Sequence, residues 1–76
     1  MEDLLAYIAK GLVDEPGAVS VEAFEEDDAL VLELRVADDD TGKIIGRNGR
    51  TVNAIRSVMR ACGTKHGQRV LVDVVD

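Results

Sequence analysis

Between Thr41 and Arg60 the chain reads TGKIIGRNGRTVNAIRSVMR, with three glycines in eight residues, five basic residues and no acid. Glycine-rich backbone beside basic side chains is the chemistry of phosphate binding, because main-chain N–H groups and cations converge on an anion. A nucleotide-binding P-loop needs Gly-Lys-Ser/Thr, but Gly42-Lys43 is followed by Ile44. The dinucleotide fingerprint needs G-x-G-x-x-G, and Gly42, Gly46 and Gly49 have the wrong first spacing. What remains is G-x-x-G, Gly46-Arg47-Asn48-Gly49.

Other reactive residues do not assemble into sites. Cys62 and His66 could form a thiol and its base, yet Cys62 falls on the apolar face of its helix and no acid follows closely to orient the imidazole. The same pair offers no zinc spacing, and a single cysteine excludes an internal disulfide. Counted from Asp38, the sixth and twelfth positions of a calcium loop would be Lys43 and Gly49 instead of glycine and glutamate. Asp38-Asp39-Asp40 therefore reads as a solvated loop. Tyr7 and Phe24 are too few and too separated for a base-stacking platform. No catalytic constellation, metal site or cofactor site is expected.

The elements that must position Gly46–Gly49 follow from periodicity. Asp3 is placed to cap a first helix, with Leu4, Leu5, Ile8, Leu12 and Val13 at helical spacing until DEPG at 14–17. AVSVEAFE (18–25) and ALVLELRVA (29–37) alternate as strands, joined by an acidic hairpin loop EEDD. A short helical turn runs from Thr41 to Gly46. A longer helix from about Arg50 to Cys62 carries Val52, Ile55, Val58, Met59 and Cys62 on one side, with Gly63 as its left-handed terminal residue. QRVLVDVV (68–75) is a third strand. The order α-β-β-α-α-β in 76 residues describes one small α+β domain, helices on one face of a three-stranded sheet.

In that frame the glycines allow a tight reversal and close approach of a sugar-phosphate backbone, while the next helix offers its positive N-terminus. Arg47 sits at the loop tip and Lys43 just before it. Arg50, Asn53, Arg56 and Arg60 lie on the helix face away from the core, as a phosphate rim or, for Arg56 and Arg60, as an ordinary solvated face. Ile44, Ile45, Val52 and Ile55 line the groove floor or the core beneath it. Charge is divided: residues 1–40 hold 13 acids against two bases, net −11, and residues 41–76 hold seven bases against two acids, net +5. One face suits an anion and the other repels it.

Element order, GKIIGRNGRTVNAIR and the terminal strand together resemble a KH domain of the prokaryotic (type II) topology over essentially all 76 residues. More narrowly they are similar to the small bacterial single-KH RNA-binding proteins of the KhpA family. The resemblance implies a non-catalytic grip on about four nucleotides of single-stranded RNA. Lys43, Ile44, Ile45, Gly46, Arg47, Asn48, Gly49, Arg50, Asn53, Arg56 and Arg60 would form the site. It further implies an RNA chaperone or post-transcriptional regulator acting as a homodimer or with a larger KH-containing partner, KhpB. The rival is a protein-interaction module with secondary RNA contact. Charge repulsion among Arg47, Arg50 and Arg56 argues for dimerising through an edge strand over the loop-and-helix segment. The opening MEDLLAYIAKGL is acidic and has no apolar run of membrane or signal-peptide length, so a cytoplasmic protein is expected.

Overall fold

Alternating valines and leucines set the sheet, and the helices cover the side to which Leu32 and Leu34 point. The computed structural model describes residues 1–75. Helix α1 (Glu2–Leu12) leads to strands β1 (Ser20–Glu26) and β2 (Ala29–Arg35), then to helices α2 (Thr41–Ile45) and α3 (Arg50–Lys65), and strand β3 (Arg69–Val74) closes the order. Strand β2 is central, antiparallel to β1 and parallel to β3.

Leu32 and Leu34 of β2 and Val70 and Val72 of β3 turn inward by the two-residue alternation. Onto them pack Leu5 and Ala9 of α1, Ile44 of α2, and Ile55 and Met59 of α3. Each fully buried aliphatic side chain of this kind stabilises by about 1.5–3 kcal/mol. That is a large share in a domain of this size.

Several expectations need correction. Helix α1 begins at Glu2, so Asp3 lies in its first turn and helps offset the positive helix end without capping it. The apolar face of α1 centres on Leu5 and Ala9, leaving Leu4 and Leu12 partly exposed. The hairpin turn is only Asp27-Asp28, because Glu25 and Glu26 still pair with Leu30 and Ala29.

Helix α3 runs past Gly63 to Lys65, and the left-handed residue after it is Gly67, at φ 69°. Gly63 has a different task. A Cβ there would collide with the carbonyl oxygen of Gln68 and lie 2.6 Å from Val70 Cγ2. The missing side chain is what lets α3 lie against the start of β3, and the Gln68 N–H donates back to Gly63 O at 2.7 Å. Val58, expected in the core, is exposed, and Cys62 is half-buried. Among the described residues, no helix is long and apolar enough to cross a membrane, and no group of His, Cys, Asp or Glu could hold a metal ion.

Candidate nucleic-acid interface

Helix α2 delivers the chain to the loop. Ile44 is fully buried and Ile45 half-buried, so the anchor inside the core is Ile44. The Gly46 N–H closes the helix on Gly42 O at 2.9 Å. Gly46 then takes φ 76°, ψ 173°, a conformation that is essentially glycine's alone. A Cβ at Gly46 would also overlap Thr51 Oγ1.

Arg47–Gly49 form one tight turn, with the Gly49 N–H donating to Gly46 O at 3.2 Å. Asn48, at φ 58°, and Gly49, at φ 75°, are both left-handed. Asparagine is among the few side chains that tolerate this region. Sequence reasoning gave Asn48 only a contact role, although an Asn between two glycines was itself a signal for it. Arg47 and Asn48 are exposed.

Gly49 is the residue before α3 and has no side chain with which to cap it. The Arg50 N–H turns back to the Arg47 carbonyl, and the positive end of the 16-residue helix lies beside exposed Arg47 and Arg50, where an anion gains from both.

Along α3 the helical period separates two flanks. Val52, Ile55 and Met59 are buried. Asn53, Arg56 and Arg60 lie on the side toward β3, and Ala54, Val58 and Ala61 on the other. Arg56 is half-buried, and its Nε donates to the carbonyl of Val72 at 3.2 Å on the free edge of β3. The seam, or groove, between α3 and that edge is bridged by Arg56, with the loop at one end. Val52 and Ile55 belong to the core beneath it.

Lys43 is placed differently from its expected position on the rim. Its Nζ donates to Asp14 Oδ2 at 2.9 Å and to Asp40 Oδ1 at 3.3 Å. Asp40, read from sequence as part of a solvated run, is buried, and its carboxylate also accepts from the backbone N–H groups of Asp14 and Glu15. Burial pushes the Asp40 carboxyl up, but these two N–H groups and the Lys43 ammonium outweigh it and hold it below its ordinary value. Hydrogen bonds to Asp14 and Asp40 raise Lys43 in turn. The cluster ties the segment after α1 to the start of α2, and so fixes the entry to the loop.

The sequence model of the KhpA/KhpB KH domain matches residues 2–74. The RNA-binding protein KhpA of Clostridium acetobutylicum is 44% identical over 75 residues, covering 99% of this chain and all of the relative. That of Streptomyces coelicolor is 47% identical over 76 residues, covering the whole chain and 92% of the relative. Among solved structures, Aquifex aeolicus Era bound to GDP and aluminium fluoride superposes with a TM-score of 0.65 at 22% identity over 96% of this chain. Era in complex with MgGDPNP and nucleotides 1506–1542 of 16S ribosomal RNA superposes with a TM-score of 0.60, also at 22% identity. In both cases the match spans 28% of the Era chain, and the likeness is one of fold.

Proposed function

The chain belongs to the KhpA/KhpB KH-domain family, and on that premise we propose that it binds single-stranded RNA without catalysis, at the Gly46–Gly49 loop and the groove beside it. The observation that carries this reading is the loop itself: a turn shaped by Gly46 that presents exposed Arg47 and Asn48, an α3 N-terminus without a side-chain cap, and Arg47 and Arg50 with no acid between them. Gly46 and Gly49 shape the loop, Arg47 and Asn48 meet the sugar-phosphate backbone, and Arg50, Asn53, Arg56 and Arg60 follow the strand. Ile44 and Ile45 hold the loop's base, and Lys43 acts with them through Asp14 and Asp40. Relatives named RNA-binding protein support the ligand class.

The test is Arg47→Asp with Asn48→Asp. Both side chains stand in solvent, so the fold survives while two negative charges face phosphate. RNA affinity is expected to vanish in a variant whose circular dichroism is unchanged; equal affinity would sink the loop as the site. Three to four phosphate contacts further predict that log affinity falls against log salt with a slope of about −2 to −3.

Self-association, as a homodimer or with a larger KhpB-like KH protein, is the second reading, with RNA contact secondary to it in the rival form. The expected route was an edge strand. The feature that favours association, however, is an apolar strip on α3, where Val58 is 47% exposed beside exposed Ala54 and Ala61. This strip is on the opposite flank from Arg56, so a dimer built there leaves the β3 groove open. Sedimentation of wild type and Val58→Asp, with and without saturating RNA, separates the readings. A dimer lost in Val58→Asp but kept with RNA supports the strip. Release of RNA-bound monomers from the wild type would place the dimer surface in the groove instead.

A further inference from the structure

A hollow lies away from the glycine loop, at the far end of the groove. It has a volume of about 510 Å³ and is walled by Arg60 and Thr64 of α3 and by Gln68, Arg69, Val70 and Leu71 at the start of β3. Helix and strand run in opposite directions here, because Gly63 packs on Val70 while Arg56 reaches Val72. The hollow therefore continues the groove away from the loop. From Arg50 to Arg60 the helix rises about 15 Å, the reach of roughly four nucleotides at the ~3.4 Å spacing of a stacked strand. The hollow begins where a four-nucleotide grip ends.

Its lining suits one more nucleotide. Arg60 and Arg69 are both exposed, and neither guanidinium meets a carboxylate among the described residues. They come from different elements, so their convergence is a product of the fold. Thr64 and the Gln68 carboxamide, whose Nε2 donates to the Arg69 carbonyl at 3.4 Å, add neutral hydrogen-bonding groups. Leu71, 44% exposed, adds an apolar surface at the rim for a base. Strand β3 also turns backbone groups of alternate residues to its unpaired edge. Val72 O faces the edge, as its bond from Arg56 shows, and by the two-residue alternation Val70 does too.

We infer that this hollow is a distal subsite for single-stranded RNA, holding the phosphate of a further nucleotide between Arg60 and Arg69. The inference rests on the RNA-binding reading and extends it to a residue, Arg69, that lies outside the glycine segment.

Oligouridylates of four and seven nucleotides, titrated against wild type and Arg69→Ala, test it. A seven-nucleotide strand offers a four-nucleotide site four registers, so counting alone makes it about fourfold tighter. The subsite adds roughly tenfold more, by two charge-assisted contacts to one phosphate, and steepens the salt slope by about 0.7. In the variant the length advantage is expected to fall toward fourfold. Backbone amides of residues 67–71 are expected to shift with the longer strand and not with the shorter.

Equal losses for both lengths in the variant would overturn the subsite, as would no shift at 67–71 with the longer strand. So would a response to inorganic phosphate as strong as that to the seven-nucleotide strand. The loop reading fails separately, if Arg47→Asp/Asn48→Asp leaves the four-nucleotide affinity unchanged. Binding of neither length would overturn both.

Discussion

Two tight reversals of this chain use left-handed backbone for opposite ends. In the β1–β2 hairpin, Asp27 (φ 51°) and Asp28 (φ 64°) form a two-residue turn between paired Glu26 and Ala29, the geometry that suits the twist of adjacent strands. In the loop, Gly46, Asn48 and Gly49 take φ of 76°, 58° and 75°. The hairpin accepts side chains at its left-handed positions because they stand in solvent, and short aspartates carry only part of the usual strain. The loop excludes one at Gly46, where Thr51 occupies the space and ψ leaves the left-handed helical region altogether. Reversing direction tolerates side chains; holding a backbone open against a neighbouring helix does not. The charges differ to match. Glu25, Glu26, Asp27 and Asp28 surround one turn, and Arg47 and Arg50 the other.

The comparison breaks most readily at Gly46. Gly46→Ala meets the backbone penalty of about 1–3 kcal/mol and an overpacking cost of similar size, enough to consume most of the stability of so small a domain. Urea denaturation is expected to show a largely unfolded variant. A folded variant with unaltered RNA affinity would show that the two turns are equivalent.

Gly63→Ala asks whether close approach matters away from the loop. Alanine gains about 1 kcal/mol of helix propensity but loses about 1–3 kcal/mol to contact with Gln68 and Val70, so net destabilisation is expected. A more stable variant would mean that α3 and β3 are not tightly packed.

Asp40→Asn tests whether the loop depends on its anchor. A carboxyl lowered in the folded state stabilises above its unfolded value of 3.8, and that contribution is lost as pH falls through the lower folded value. Wild type is therefore expected to melt higher than the variant at neutral pH, with the gap closing as pH falls below 3.8. Lys43 acts with the reverse sign, its raised pKa stabilising below 10.5 and losing that contribution as pH rises beyond its folded value. A gap that stays constant from pH 7 to 2 would show that the Asp40 charge is not what matters.

Gly49→Asn probes the mildest constraint in the loop. Only Asn53 Nδ2 comes within contact range of a Cβ there, at 3.8 Å, so the cost is conformational and below about 1 kcal/mol for a residue that tolerates positive φ. The smallest effect belongs to the hairpin. Asp27→Asn with Asp28→Gly installs the preferred two-residue turn and is expected to add about 0.5 kcal/mol while leaving the RNA salt slope unchanged. A changed slope would show that the acidic turn acts on bound RNA.

Element order, the direction of Leu32 and Leu34, the glycine turn and the division of charge were all legible in the sequence. Each rests on spacing within a few residues: a period near two for strands, near 3.6 for helices, and glycine where φ turns positive. What short stretches do not carry is the identity of distant neighbours. Gly63 resembled a helix terminator because glycine often is one, and only Gln68 and Val70 folding back reveal it as a packing position. Asp40 looked like one acid in a solvated run until Asp14 and Glu15, more than twenty residues earlier, turned their N–H groups toward it and drew Lys43 off the rim. Arg69 carried no signal at all until β3 set it beside Arg60. Local periodicity and backbone preference are properties of short stretches, so one dimension records them. Close contact, buried charge and the meeting of two cations depend on which remote segments share a volume, and only the packed chain decides that.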